Sequence, residues 1–141
     1  MQALLFFVRL IPPALLRRLL RWHFDSVSQL SPVALAFDMT MAPVLLLDLR
    51  TQAEYESGHI AGAIRVADST TAQWLIEAFR ADTAAPRVVA YCTVGYRSSQ
   101  FALHMASIGA AQVENLEGGI WAWDSAGEPV VSEPVVRATS S

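Results

Sequence analysis

The sequence has little cysteine, little charge and no long apolar run, and each shortage excludes a class of protein. Cys92 is the only cysteine among 141 residues, so the chain can form no internal disulfide and cannot cycle between a dithiol and a disulfide. Charged residues make up only 16% and hydrophobic residues 53%, which is typical of a folded domain rather than a disordered chain. A chain of this length is expected to form one domain with a substantial core.

Signals for cofactors and nucleic acids are also missing. The sequence contains no metal-ligand spacing, no phosphate-binding loop and no glycine-rich nucleotide fingerprint, so we expect neither a metal nor an organic cofactor. Residues 1–21 carry four arginines and no acid, whereas residues 22–141 carry six arginines and thirteen acids. The first part has a charge of +4 and the rest −7, for a net charge of −3. Because the larger part is acidic, we expect no binding to nucleic acid.

The amino-terminal segment, residues 1–24, differs from the rest of the chain. Its first eleven residues are apolar except for Gln2 and Arg9, a stretch too short to span a bilayer. Most of its arginines follow this stretch, whereas a signal peptide carries its positive charge before the apolar run, so we expect no cleaved signal peptide.

A basic amphipathic helix is predicted after Pro12-Pro13, since proline is favoured in the first turn of a helix. At about 100° per residue, three arginines share one arc of this helix, namely Arg17, Arg18 and Arg21. The other side carries Leu15, Leu16, Leu19, Leu20 and Trp22. This apolar side either packs on the domain or on a second copy, or lies on an anionic membrane surface.

From Val27 onward, short apolar runs alternate with helical patterns. The runs Val44–Arg50 and Arg87–Tyr91 predict strands that are buried on both faces. Further strands are predicted at 64–66 and 112–116, and helices at 32–38, 70–81 and 98–109, with a short helix that starts at 51–54 and a last helix after Gly118-Gly119. Ser31 is predicted to cap the first of these helices, and Thr51–Glu54 matches a capping box. Helix 70–81 is expected to bury Trp74, Leu75, Ala78 and Phe79. The pattern predicts an α/β fold with a mainly parallel sheet and helices on both faces.

The stretch "YCTVGYRS", Tyr91 to Ser98, combines features that favour a thiolate. Cys92 follows a predicted strand, at the carboxyl edge where functional groups collect in a parallel sheet. The following helix would direct free N–H groups and its positive end toward the sulfur, and Arg97 adds a cation. Gly95 allows a backbone conformation in which successive N–H groups converge on an anion. These features favour a reactive cysteine over a buried structural one.

Three segments carry a resemblance to a known family: "LLLDLRTQAEYESGHIAGAI" (45–64), "VVAYCTVGYRS" (88–98) and "LEGGIWAWDSAGEPV" (116–130). In these motifs and in their order the chain resembles a single-domain rhodanese, a sulfurtransferase homology domain. The resemblance implies a three-layer rhodanese-like fold over residues 25–131. It does not cover residues 1–24, the predicted amphipathic helical extension, or residues 132–141, which we predict to be a flexible tail.

The resemblance also implies a reaction. Cys92 would take a sulfane sulfur from a donor such as thiosulfate or a persulfide, become a persulfide, and pass the sulfur to cyanide or a thiol with ping-pong kinetics. The substrate and the persulfide would be held by the loop Thr93, Val94, Gly95, Tyr96 and Arg97. Supporting positions behind the site would be Asp48, Arg50 and His59. The resemblance implies no metal and no cofactor.

Loop length distinguishes branches of this superfamily. Cys92 and Arg97 enclose four residues. Rhodanese-fold phosphatases and arsenate reductases have a loop of five residues, which is wide enough for a tetrahedral oxyanion. The shorter loop favours sulfur transfer, and the single cysteine excludes an arsenate reductase that needs a second one in its own chain.

The loop also departs from two-domain thiosulfate enzymes, which carry more cations there. Thr93 and Val94 are neutral, and Glu54 replaces an arginine. We therefore expect a small persulfide or a protein persulfide to be as suitable a donor as the thiosulfate dianion.

An alternative function is a weakly catalytic or non-catalytic sulfur-relay module that residues 1–24 tether to a membrane or a partner. We expect a monomer or homodimer in the cytoplasm, either free or at the inner face of the membrane.

Overall fold

Two apolar runs form the centre of a parallel sheet in the structure, a computed structural model in which residues 10–132 are described. Residues 1–9 of the predicted extension and residues 133–141 of the predicted tail lie outside the described residues. Six helices are described: α1 Pro13–His23, α2 Pro32–Met41, α3 Gln52–Ser57, α4 Ser69–Asp82, α5 Tyr96–Ser107 and α6 Gly119–Ser125. The strands in the same range are β1 Gln29–Leu30, β2 Leu45–Asp48, β3 His59–Ile60, β4 Ile64–Arg65, β5 Val88–Tyr91, β6 Val113–Leu116 and β7 Val130–Val131.

The main sheet has the strand order β1-β6-β5-β2-β4, and all of its neighbouring strands are parallel. Side chains alternate between its faces. Leu45 and Leu47 pack on the side covered by α1, α4 and α5, and Leu46 packs on the side covered by α2 and α6. This confirms the predicted three-layer α/β architecture. It also places the carboxyl ends of β2, β4 and β5 at one edge, where the site lies.

Both predicted helix caps are confirmed. The Ser31 hydroxyl accepts a hydrogen bond from the Ala34 N–H, and the Thr51 and Glu54 side chains form a reciprocal capping box. Helix α5 begins at Tyr96, two residues before the predicted start. That shift matters for the chemistry, because Tyr96 and Arg97 lie in the first turn of the helix rather than in the loop.

The predicted buried face of α4 is confirmed at Leu75 and Phe79 and is wrong at Trp74 and Ala78, which are exposed. Ala72 and Ile76 are buried there, with Leu75 and Phe79 packed against the same core, whereas the Trp74 side chain is 78% exposed. Trp74 lies two residues from both Ala72 and Ile76, which is about 200° around the helix. A second feature was missed by the sequence analysis: β3 pairs with β7 in a small antiparallel sheet.

Helix α1 packs on the domain along one side. Leu20 contacts the core beside α5, Phe24 directly after the helix is only 3% exposed, and Arg21 forms an ion pair with Glu117 at 2.7 Å. The opposite side of α1 is exposed at Leu15, Leu19 and Trp22. None of the helices in the described part of the chain has the length and hydrophobicity that crossing a lipid bilayer requires.

Candidate active site

Cys92 lies directly after β5, at the carboxyl edge of the sheet, and is 3% exposed. Two groups approach its sulfur: the Gly95 N–H, with the nitrogen 3.2 Å from Sγ, and the Ser98 hydroxyl, with its oxygen at 3.4 Å. Both come from the turn that opens α5. The strand end, the glycine and the helix start that the sequence predicts around Cys92 are therefore all found next to its sulfur.

Gly95 gives the loop its shape. Its φ of +104° lies in the region that side chains disfavour, and it serves as the N-cap of α5. Since the Ser99 N–H is the donor to the Gly95 carbonyl, the N–H groups of Gly95 to Ser98 precede the first helical hydrogen bond. They provide a positive end at which an anion is stabilised.

Helix α6 fixes the loop from the other side. The Ile120 N–H donates to the Cys92 carbonyl at 3.0 Å, and the Trp121 N–H donates to the Thr93 carbonyl at 3.3 Å. In a trans peptide the C=O and the N–H point in opposite directions. Holding both carbonyls toward α6 therefore turns the N–H groups of Thr93 and Val94 away from α6.

This approach depends on Gly119, which the sequence analysis did not assign to the site. A Cβ there would meet the Thr93 carbonyl oxygen at 2.3 Å and the Cys92 carbonyl oxygen at 2.5 Å. Its φ of +62° adds a second requirement for glycine. The signal in the sequence was the Gly118-Gly119 pair directly after a predicted strand.

A buried polar network lies behind Ser98, and it too was missed. The Ser98 hydroxyl is hydrogen-bonded to the Asn115 side-chain oxygen, and the Asn115 amide donates to the Gln29 side chain at 2.6 Å. Ser98 and Asn115 are at most 1% exposed. The signal was the polar Asn115 inside the predicted strand 112–116. The network connects β1, β6 and α5, and it fixes the position of the hydroxyl beside the sulfur.

Two of the supporting residues form a buried ion pair. Asp48 and Arg50 pair at 2.8 Å, and the Arg50 guanidinium also donates to the Gly58 carbonyl at 2.6 Å. Tyr91, the residue before Cys92, donates its hydroxyl to Asp48 at 2.7 Å and accepts from the Ile60 N–H at 3.1 Å. This cluster joins the ends of β2 and β5 to β3, so it holds the strand that carries Cys92 from behind.

His59 belongs to the same wall. Its Nδ1 is 2.7 Å from the Tyr55 carbonyl oxygen, and its ring stacks on that of Tyr55 with centroids 3.8 Å apart. The imidazole is buried in β3. Within residues 10–132, no three His, Cys, Asp or Glu side chains gather where they could share a metal ion.

The side chains of Val94, Tyr96 and Arg97 lie in three different environments. Val94 is buried and lines a cleft of about 740 Å³ together with Leu16 of α1 and Trp121 of α6. Tyr96 packs its ring on Phe24 at 5.5 Å between centroids. Arg97 is exposed in the first turn of α5.

Replacing Tyr91 by Phe should lower the free energy of unfolding by about 1–3 kcal/mol, because it leaves the Ile60 N–H without its partner and removes a donor to Asp48. Burial, and then the Asp48 carboxylate, raise the pKa of the Tyr91 phenol. An unfolded phenol ionises near about pH 10, so above that pH the wild-type chain loses stability that the variant does not lose.

Urea unfolding at pH 8 and near pH 11 measures the stability lost by the Tyr91→Phe variant and the stability that the wild-type chain loses at high pH. The difference between the two proteins should be larger at pH 8 than near pH 11. Tyr96→Phe, which removes a half-exposed hydroxyl, is the control and should change stability by less than about 0.5 kcal/mol. A difference that stays constant with pH would contradict the raised pKa of the Tyr91 phenol in the folded chain.

Comparison with known proteins gives one matching family model and relatives that match more than half of this chain. A model of the family described as "Rhodanese-like domain" matches residues 33–126. The tRNA uridine(34) hydroxylase of Burkholderia ambifaria is 40% identical over 80 residues, which cover 55% of this chain and 28% of that protein. That of Burkholderia cenocepacia is 39% identical over 85 residues, covering 59% and 30%. The chain thus spans less than a third of the length of these relatives.

Solved structures share the fold. A thiosulfate sulfurtransferase from Pseudomonas aeruginosa superposes with a TM-score of 0.66 at 23% identity, over 86% of this chain and 23% of that one. A rhodanese-like domain protein from Staphylococcus aureus has a TM-score of 0.60 at 21% identity, over 77% and 100%. Because the family model covers more than half of the chain, the chain belongs to the rhodanese-like domain family.

Proposed function

We propose that the chain is a sulfurtransferase that carries sulfur as a persulfide on Cys92. In the first half-reaction the Cys92 thiolate attacks the outer sulfur of the donor. With thiosulfate, the new bond joins Sγ to that sulfur, the sulfur–sulfur bond of the donor breaks, and sulfite leaves with the electron pair. In the second, an acceptor thiolate attacks the outer sulfur of the persulfide and Sγ leaves as a thiolate.

The observation that carries the proposal is the contact between Cys92 Sγ and the Gly95 N–H at 3.2 Å, at the start of α5. A donor N–H and the positive end of a helix stabilise negative charge on sulfur, both in the attacking thiolate and in the persulfide. The Ser98 hydroxyl lies 3.4 Å from the sulfur and shares its single proton between Sγ and the Asn115 side-chain oxygen. The Asp48–Arg50–Tyr91 cluster and His59 act as positioning residues behind the loop, since the cluster binds within itself and to backbone groups, and His59 binds the Tyr55 carbonyl and stacks on the Tyr55 ring.

The donor is proposed to be a persulfide rather than thiosulfate. The side chains between Cys92 and Arg97 are uncharged, and Val94 is buried. A dianion gains most from several cations close to its oxygens, whereas a persulfide carries one charge that the loop N–H groups can hold.

Intact mass spectrometry tests the assignment. Incubation with a persulfide donor should add about 32 Da, the mass of one sulfur atom, and peptide mapping should place it on Cys92. Addition of a thiol or cyanide should remove it. Failure of every donor to add sulfur, while iodoacetamide still alkylates Cys92, would refute the proposal.

A second candidate function, attachment to an anionic membrane surface, is favoured by the exposed side of α1. Leu15, Leu19 and Trp22 are 46%, 46% and 80% exposed, and Arg18 is exposed beside them. Such a face binds lipid headgroups through apolar burial and positive charge. Vesicles that contain an anionic lipid should sediment the chain, and serine at these three apolar positions should abolish sedimentation. Equal sedimentation of both proteins would refute the attachment.

The relatives named tRNA uridine(34) hydroxylase do not extend the proposal to tRNA. The chain covers less than a third of those proteins. Residues 22–141, which include the matched domain, carry the acidic charge of −7, which opposes binding to a polyanion.

A further inference from the structure

A second cavity, of about 350 Å³, lies beside the cysteine loop at the carboxyl edge of the sheet. Leu49, which lines it, follows β2 and donates its N–H to the carbonyl of Tyr91, the residue before Cys92. Arg97, on the opposite wall, is the residue before Ser98, whose hydroxyl contacts the Cys92 sulfur. The cavity therefore adjoins the backbone at both ends of the cysteine loop, and Cys92 itself is not among the residues that line it.

Two opposite charges line this cavity without pairing. Arg97 is exposed, and its guanidinium makes no hydrogen bond or ion pair with any other residue in the range 10–132. Asp68 lies at the start of α4, where its carboxylate accepts from the Thr71 N–H at 2.7 Å, and this hydrogen bond lowers the pKa of Asp68. No ion pair joins Asp68 to Arg97, although both line the same cavity.

The remaining walls suit a small polar molecule with a short carbon chain. Gln100 and His104 follow Arg97 along one side of α5 and offer hydrogen-bonding groups. Leu49, Val66 and Phe101 supply apolar surface. A volume of this size is at the lower end of the range for small-molecule sites, about 300–1,000 Å³.

We propose that this cavity binds the sulfur acceptor, and that the acceptor is a zwitterionic thiol of the amino-acid class. Its carboxylate binds Arg97 and its ammonium group binds Asp68. The inference rests on the proposed function and names its acceptor. A thiol with only a carboxylate is repelled by Asp68, and a thiol with only an ammonium group is repelled by Arg97. A zwitterion pairs with both, and its thiolate then attacks the outer sulfur of the Cys92 persulfide and releases the Sγ thiolate.

Four small thiols that carry different charged groups provide the test: cysteine, 3-mercaptopropionate, cysteamine and 2-mercaptoethanol. The protein is loaded with sulfur, the donor is removed, and the second-order rate of sulfur loss is divided by the thiolate fraction of each acceptor. Cysteine should react about tenfold or more faster than 2-mercaptoethanol on this scale. Glutathione, whose glutamyl end is also a zwitterion but lies far from its thiol, separates a free amino acid from a peptide as the source.

Two conservative variants reverse the selectivity in opposite directions. Asp68→Asn keeps a good helix cap and should raise the rate of 3-mercaptopropionate relative to cysteine by about fivefold or more. Arg97→Gln should raise that of cysteamine relative to cysteine by a similar factor. Arg80→Gln, a change of the same type on an exposed arginine of α4 outside this cavity, should leave all four rates unchanged.

The possible outcomes distinguish a failure of the acceptor site from a failure of the proposed sulfur transfer. If Cys92 takes up no sulfur, the proposed function fails and the acceptor site fails with it. If Cys92 loads but all four thiols react equally per thiolate, only the acceptor site is refuted. The same holds if Asp68→Asn and Arg97→Gln change all four rates by one common factor.

Discussion

A Cys92→Ser protein is expected to fold as the wild-type chain does and to transfer no sulfur. Serine is close in size to cysteine, and its oxygen can accept from the Gly95 N–H and bond to the Ser98 hydroxyl in place of the sulfur. The free energy of unfolding should change by about 1 kcal/mol or less. An alcohol oxygen cannot form a persulfide, so kcat/KM should fall by at least about 10³-fold.

The measurement is sulfur transfer to cyanide or a thiol, with circular dichroism and urea unfolding as the controls for folding. Because Cys92 is the only cysteine, the variant also gives a true zero for iodoacetamide labelling and for uptake of sulfur mass. Transfer that persists in Cys92→Ser would show that the reaction does not pass through this side chain.

The second large effect should follow from a single methyl group at Gly119. In Gly119→Ala the new Cβ would lie 2.3–2.5 Å from atoms of the Cys92 and Thr93 carbonyl groups, which are backbone and cannot rotate away. Either α6 or the loop must move, and the donors at Ile120 and Trp121 then lose their alignment. Since a displacement of about 1 Å can cost about 10²-fold in rate, kcat/KM should fall by about that factor.

Gly127→Ala is the matched control. Gly127 also has a positive φ, at +80°, but a Cβ there would have nothing within 4 Å. Both variants should lose about 1–2 kcal/mol to backbone strain, and Gly119→Ala should lose at least about 2 kcal/mol more. Urea unfolding and sulfur transfer measured on both proteins decide the matter. Equal losses in the two proteins would show that the contact with the loop contributes nothing.

Features that depend on neighbouring residues could be predicted from the sequence. The buried strands β2 and β5 are continuous apolar runs because both of their faces are covered, and a run of that kind is visible without the fold. The caps at Ser31 and Thr51 require only residues within one helical turn. Cys92 could be placed at a strand end and a helix start for the same reason.

Features that depend on contacts between distant segments of the chain could not be predicted from the sequence. The contact of Gly119 with the Cys92 carbonyl joins residues 27 apart in the chain, and local patterns contain no information on such a distance. The same applies to the Asn115–Gln29 hydrogen bond and to the pairing of β3 with β7. The exposure of Trp74 was mispredicted because hydrophobicity alone does not determine which side of α4 faces the sheet.

Helix α1 is connected by packing to the turn that holds Cys92. Tyr96, the first residue of α5, packs on Phe24, and Phe24 directly follows α1. The outward side of α1 carries Trp22, two residues before Phe24. A surface or partner that binds Trp22 would therefore bind two residues from Phe24, whose ring packs on the turn around Cys92. Cutting the chain at residue 25 would remove Phe24 from the core along with the helix, so only substitutions on the outward side can separate attachment from reactivity.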